Sequence, residues 1–217
     1  MRFLFVSGLG QGGAERQVSL IVNELSKIHQ VTLVTYNKDR IFYKISESAE
    51  LVDLKKSKKN KSIDKITSYY RLKKMIKKED FDYIFSFITK MNVFVGFIYN
   101  SLFSTIGIKT KFIPSDRTTE LSYKNSLLWK LLVRTAYKNA AFVLVNNKSN
   151  MDIIPKLLNK KIEVKYLPNF INLSLFQDRH LIRNKKKIKI LVPARIVPQK
   201  NQHVIFEMVE LYLSKFN

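Results

Sequence analysis

Arg2-Phe3-Leu4-Phe5-Val6-Ser7, then Gly8-Leu9-Gly10-Gln11-Gly12-Gly13, then Ala14-Glu15-Arg16 is the stretch on which the reading of this chain turns. Residues 2–7 are an apolar run without polar alternation, as in a strand covered on both faces. Four glycines in the next six residues permit a tight turn and close backbone approach. Over residues 14–28, Val18, Ile21, Val22, Leu25 and Ile28 recur at helical spacing. A strand, a glycine loop and a helix opening on that loop are the start of a βαβ unit.

The same alternation continues. Strands are expected at 30–36, 50–54, 82–87, 109–114, 141–145 and 164–167, where Pro168 stops the last. Helices are expected at 63–78, 93–103, 127–138 and 148–158. This pattern predicts an α/β, Rossmann-like parallel sheet with helices on both faces. Ligands of such sheets bind beyond the carboxyl ends of the strands. That rule selects the 8–13 loop, Lys90 and Ser115-Asp116-Arg117. Residues 169–187 are polar, lack periodicity and end in Lys185-Lys186-Lys187. A fresh unit follows, with a strand at 188–193, a loop at 194–200 and a helix at 202–213. The expected organisation is a complete domain over 1–170, a linker over 171–187, and the first βα unit of a second Rossmann-like domain over 188–217. One βα unit cannot bury its own apolar face. The chain therefore reads as a fragment of a two-domain protein, or as a half that borrows a partner chain.

Gly8-x-Gly10-x-x-Gly13 matches the dinucleotide fingerprint, whose physical content is a tight turn feeding a helix N-terminus that attracts a phosphate. An NAD site also needs an acid at the end of the second strand. That strand ends Val34-Thr35-Tyr36-Asn37, with Asp39 beyond it. An anion-binding loop of another sort fits better, with a dinucleotide loop and a plain tight turn as alternatives.

Of the 217 residues, 39 are Lys or Arg and 17 are Asp or Glu, a net charge of +22 that favours an acidic surface or anionic substrate. Codon bias is a competing source, since Lys and Asn are both abundant. The excess is uneven: residues 55–78 hold eleven Lys/Arg against Asp64 alone. Lys55, Lys56, Lys58, Lys59, Lys73, Lys74, Lys77 and Lys78 belong to this run, which spans a loop and an amphipathic helix carrying Tyr69 and Tyr70. Such an element fits anionic headgroups, a solvated lysine-rich helix being the alternative. No helix-turn-helix, zinc-finger or RNP pattern supports nucleic acid. The absence of cysteine removes thiol nucleophiles and disulfides. The N-terminal apolar run is too short for a signal peptide. Residues 91–108 carry no charge but include Asn92, Gly96 and Asn100, and read as a buried helix instead of a membrane span.

Six segments in order resemble one family. Gly12-Gly13-Ala14-Glu15-Arg16 is similar to the first-helix opening of the retaining GT-B glycosyltransferases of family 4. Ser86-Phe87, Ser115-Asp116-Arg117 and Val145-Asn146-Asn147-Lys148-Ser149 follow in the family's order. Pro168-Asn169-Phe170-Ile171-Asn172 with Phe176 resembles its inter-domain segment. Residues 192–201, Val-Pro-Ala-Arg-Ile-Val-Pro-Gln-Lys-Asn, are similar to the loop opening its second domain, with Ala194 where glycine is usual.

The resemblance implies a nucleotide diphosphate sugar as donor substrate, no further cofactor, and a lipid-linked or glycan acceptor. It implies that Arg195 and Lys200 neutralise the departing diphosphate, a role suited to two cations on a loop stiffened by Pro198. Gly12 and Gly13 would let the backbone approach the donor. Asp116 lies where relatives carry a glutamate and would orient or deprotonate the acceptor hydroxyl, a capping or ion-pair role being equally open. Lys90 and Arg117 would meet an acceptor phosphate, or remain surface charges. The family's donor contacts lie mostly in its second domain, so this stretch alone would turn over little. The expected setting is bacterial surface polysaccharide assembly, peripheral on the cytoplasmic face of the inner membrane. A membrane-docked acceptor platform serving a separate donor chain, or less favoured an NAD-binding protein, are the alternatives. Asp80-Phe81-Asp82 spells a metal-binding D-x-D, but at a helix-to-strand connection away from the expected cleft, and no metal is expected.

Overall fold

The computed structural model describes residues 1–54, 61–117, 126–171, 173, 190–194, 196 and 200–216. The chain divides into two compact units, Met1–Ile171 and Asn172–Asn217. In the first, the elements run β1 (Arg2–Val6), α1 (Gly13–Leu25), β2 (Gln30–Thr35), β3 (Glu50–Asp53), α2 (Lys61–Lys78) and β4 (Tyr83–Phe87). They continue with α3 (Thr89–Ile106), β5 (Lys111–Asp116), α4 (Leu127–Ala136), β6 (Val143–Val145), α5 (Ser149–Leu158) and β7 (Val164–Tyr166). The sheet has seven strands in the order β3-β2-β1-β4-β5-β6-β7, and every pairing is parallel.

Alternate residues of each strand face opposite layers. Leu4, Val6, Val34, Ile84 and Phe112 pack with Leu72 and Ile76 of α2, Val95 and Ile98 of α3, Val133 of α4 and Ile154 of α5. Phe3, Phe5, Val31, Leu33 and Phe87 pack with Val18 and Val22 of α1. The expected α/β sheet with helices on both faces is therefore present. Right-handed crossovers explain the layering: the chain winds outward through α1 on one face, then returns through α2 on the other. Burying each large side chain contributes about 1.5–3 kcal/mol. The central strands add ring stacking, with Phe5 and Phe85 centroids 5.0 Å apart.

Several boundaries differ from the sequence reading by a few residues, and two of the differences have a clear structural cause. β5 does not stop at Pro114 but continues through Asp116, because Ser115 and Asp116 pair with Leu144 and Val145 of β6. Pro114 lies before that pairing begins, so its missing N–H breaks no ladder bond to β6. α3 starts at Thr89, four residues ahead of the expected 93, because Ile88 leaves β4 at φ 71 and turns the chain at once. At its other end Gly107, in the left-handed region at φ 59, returns its N–H to Phe103 O and stops the helix. The uncharged segment at 91–108 falls mainly within α3, whose Val93, Val95, Ile98 and Leu102 are core residues. Among the described residues no helix is long and apolar enough to cross a membrane.

In the second unit, α6 (His203–Phe216) forms as expected, beginning one residue later and ending three residues later. The strand expected at 188–193 is corrected for its described part: residues 190–194 pair with no strand. The backbone turns locally there, with Ala194 N–H donating to Val192 O at 2.9 Å, and a segment without a paired strand has no ladder to satisfy its backbone groups.

Candidate functional site

The strand order reverses between β1 and β4, so the crevice that binds ligands in such sheets opens at the carboxyl ends of these two strands. The glycine loop lies at the end of β1. There Ser7 is fully buried, and its hydroxyl has no hydrogen-bond partner among the described residues. Gly12 is the residue before α1 and offers no side-chain cap. The Glu15 carboxylate folds back onto it, and a Cβ at position 12 would collide with that carboxylate. The positive end of α1 is thus met by the chain's own acid, the arrangement a capping glutamate provides. Gly13, exposed at the first turn, has open space around its Cα.

Across the switch point, β4 ends at Phe87, and Ile88 holds a backbone conformation that β-branched residues avoid. Such strain persists only where the surroundings enforce it, and it clusters at functional sites. The helix that follows has no side-chain cap and no acid in its first turn, and carries Lys90 there instead, exposed. A cation beside the positive end of a helix dipole is unfavourable by itself and favours a bound anion.

Arg117 leaves the end of β5, the strand paired with β4. Its Nε donates to Ser115 Oγ at 2.9 Å and its Nη1 to Asn169 Oδ1 at 2.8 Å. The guanidinium carbon sits 5.6 Å from the Phe87 ring centroid, a cation–π contact. Its Nη2 is buried with no hydrogen-bond partner among the described residues. Burial lowers the Arg117 pKa from the ordinary guanidinium value. A fixed, desolvated guanidinium with a spare donor is suited to a carboxylate or phosphate oxygen.

Three supports of this site went unread in the sequence. Asn92, fully buried on α3, accepts from Ser86 Oγ at 2.8 Å and donates to Ser115 O at 3.0 Å and Tyr137 Oη at 2.8 Å. Gln17 of α1 donates to Phe170 O at 2.9 Å and accepts from Phe170 N–H, closing a two-bond clasp across 153 positions. Asn169 carries Arg117. Asn92 gave a signal as a polar residue in an apolar helical run, and Asn169 and Phe170 lie in the segment quoted for the family resemblance.

Of the sequence-expected residues, Asp116 is fully buried as the last residue of β5 and not exposed on a following loop. Lys90 and Arg117 lie at the carboxyl edge, just past the neighbouring strands β4 and β5. Lys200 is exposed in the second unit, and Arg195 lies outside the described residues, as do Lys55, Lys56, Lys58 and Lys59. Lys73 donates to Ser101 Oγ at 2.7 Å, which ties its ammonium to α3, whereas Lys74, Lys77 and Lys78 are exposed. Asp80-Phe81-Asp82 sits at the amino edge, where Asp82 accepts from Arg2 N–H at 2.7 Å. Asp80, Phe81 and Asp82 line a cavity of about 650 Å³ at that opposite end of the sheet. β2 ends at Thr35 without the acid an NAD ribose requires.

No family model matches the chain. It is 27% identical over 136 residues, 61% of this chain and 36% of the relative, to the GalNAc-alpha-(1->4)-GalNAc-alpha-(1->3)-diNAcBac-PP-undecaprenol alpha-1,4-N-acetyl-D-galactosaminyltransferase of Campylobacter jejuni. It is 26% identical over 215 residues, 93% of this chain and 56% of the relative, to the same organism's N-acetylgalactosamine-N,N'-diacetylbacillosaminyl-diphospho-undecaprenol 4-alpha-N-acetylgalactosaminyltransferase. The chain thus spans between about a third and just over half of these relatives' lengths. Among solved structures, sucrose-phosphate synthase from Thermosynechococcus elongatus superposes with a TM-score of 0.61 at 13% identity, over 81% of this chain and 50% of that one. A lipopolysaccharide outer core galactosyltransferase gives 0.57 at 11% identity, over 80% and 47%. These likenesses show the fold, a Rossmann-like sheet shared with sugar transferases of the GT-B kind.

Proposed function

We propose that residues 1–170 are the acceptor-binding domain of a GT-B glycosyltransferase, that 171–187 link it onward, and that 188–217 open its donor-binding domain. The intact protein would transfer a sugar from a nucleotide diphosphate sugar to a lipid-linked glycan, with retention, in bacterial surface glycan assembly. The observation that carries this reading is similarity through 93% of the chain to a transferase named for a diphospho-undecaprenol acceptor. The carboxyl-edge site supports it chemically. Arg117, with a donor to spare, and the uncapped start of α3 with Lys90 supply positive charge where an acceptor diphosphate would lie. Arg195 and Lys200 are assigned to the donor's departing diphosphate, where charge builds as the glycosidic bond breaks. Gly12 and Gly13 are assigned to close backbone approach of the donor, which requires the Glu15 carboxylate to swing away. Asp116 is assigned to orienting the acceptor hydroxyl, which requires its buried carboxylate to be uncovered. The lysines of residues 55–78 would hold the enzyme peripherally on an anionic cytoplasmic membrane face.

The test is calorimetric binding of the 217-residue chain to a short polyprenyl diphosphate disaccharide, beside the same disaccharide without diphosphate. The diphosphate compound should bind better, and Arg117→Ala should weaken it by about 10- to 100-fold, the scale of a lost charge-assisted bond. Arg117→Lys should rescue little, because an ammonium cannot reproduce the fork. Nucleotide sugar should bind weakly and turnover should be small. Indifference to the diphosphate would sink the acceptor assignment, and brisk transfer by this chain alone would sink the division between domains.

A further inference from the structure

The outer surface of the helical layer carries an apolar patch that the transferase reading leaves without a role. In α4, Val133 and Ala136 point into the core, whereas Leu127, Leu128 and Leu131 stand in solvent at 85%, 65% and 60% exposure. They are not on a loose segment: the Ser126 hydroxyl accepts from Trp129 N–H and caps the helix that holds them. On α2, Ile66 and Tyr70 are likewise exposed one turn apart. The three leucines occupy the first half of α4, and Ile66 the first half of α2 with Tyr70 at its middle. In a parallel sheet crossed by returning helices, those halves lie toward the carboxyl edge, the edge that holds Lys90 and Arg117.

Charge narrows what can cover this patch. Helices α2, α3 and α4 together contain one carboxylate, Asp64, which is 3% exposed. Lys65, Lys74, Lys77 and Lys78 are exposed on α2, Lys90 on α3 and Arg134 on α4. Lys65 and Lys90 lie toward the carboxyl edge with the leucines, whereas Lys77 reaches the amino-edge cavity. Exposed leucines at an edge that carries cations, with no exposed acid on α2, α3 or α4, match an anionic bilayer, whose headgroups meet the cations while the acyl boundary receives the leucines.

We propose that Leu127, Leu128 and Leu131 are a membrane anchor that enters the acyl boundary of an anionic bilayer and brings the carboxyl-edge site to lipid depth. This rests on the lipid-linked reading above and adds an apolar contact on a helix other than the lysine-rich one. The probe is vesicle flotation with phosphatidylcholine alone and with added phosphatidylglycerol, read beside quenching of Trp129, the chain's one tryptophan, by brominated lipid. Anionic vesicles should bind the chain, and brominated lipid should quench Trp129. The triple change Leu127→Ser, Leu128→Ser, Leu131→Ser should weaken partitioning at least about tenfold and abolish quenching. Leu127→Ser alone, at the most exposed of the three, should weaken it by a smaller factor with the circular dichroism spectrum unchanged. Vesicle binding that falls only with a Lys65→Gln, Lys74→Gln, Lys77→Gln, Lys78→Gln variant, and not with the leucine change, would overturn the anchor while leaving the lipid reading in place. Binding to no vesicle would overturn the anchor, and diphosphate-dependent acceptor binding in solution would still stand or fall by itself. Self-association lost in the leucine variant, with unaltered vesicle binding, would overturn the anchor by assigning the patch to a second copy.

Discussion

Replacing Asn92 by alanine should destabilise the first unit out of proportion to the atoms removed. Asn92 is the junction of three elements: Ser86 on β4 donates to it, and it donates to the Ser115 carbonyl on β5 and to Tyr137 just past α4. All four residues are buried, so water cannot replace the lost amide. Each of the three bonds contributes about 1 kcal/mol net, and stranding the Ser86 hydroxyl and leaving a small void add to the loss. The expected cost is about 3–4 kcal/mol. At roughly 2–4 °C per kcal/mol for a chain of this size, Tm should fall by about 6–15 °C. Ser86→Ala removes one bond and should cost about 1 kcal/mol. In the Asn92→Ala background the same change should cost almost nothing, because its partner is already gone. Urea unfolding followed by Trp129 fluorescence reads this directly, since the single tryptophan lies on α4 within the first unit. An Asn92→Ala variant within about 0.5 kcal/mol of the parent, or an additive double-mutant cycle, would refute the reasoning.

Two further outcomes follow from the same layer. Gly96 lets α3 and α4 touch: a Cβ there would collide with the Ala136 carbonyl and come within 2.9 Å of the Ala136 Cβ. Gly96→Ala should therefore lose about 1–3 kcal/mol in the same unfolding assay, against the gain of about 1 kcal/mol that helix propensity alone would give, and a stabilised variant would contradict the contact. Tyr99 donates to Thr110 O at 2.8 Å, and burial raises its pKa above the ordinary 10.0, opposed in part by a backbone hydrogen bond at Phe112. Its folded pKa exceeds its unfolded one, so its contribution is intact below about pH 10 and drains away as pH rises through the folded value. Tyr99→Phe should cost about 1 kcal/mol at neutral pH and flatten the alkaline decline, so parallel declines in a series of urea midpoints would contradict this.

The fold was legible because its signals are local. The run Phe3-Leu4-Phe5-Val6, the helical spacing from Val18 to Ile28 and their repetition along the chain report burial on two faces without any knowledge of partners. The edge that binds ligands was legible too, through the rule that selects strand ends. Element limits were less so. Pro114 looked like a terminus, and only the register of β6 against Ser115 shows why the strand passes through it. The strand expected at 188–193 carried the right pattern, but its described residues have no neighbour to pair with.

By itself, then, the sequence determined the parallel sheet, its helical cover, the glycine loop and the concentration of positive charge at residues 55–78. Periodicity and composition are properties of neighbouring residues and survive in one dimension. The tertiary structure decided which polar groups are spent and which are spare. It buried Asp116 completely and tied Lys73 to Ser101. It turned Glu15 onto Gly12 and left one Arg117 nitrogen without a partner among the described residues. It also put three leucines of α4 into solvent. The setting of Arg117 and of the glycine-loop helix depends on residues far apart in the chain meeting at one edge, as Arg117 meets Asn169 and Gln17 meets Phe170. Desolvation and hydrogen bonding act through space, so no pattern along the chain encodes them.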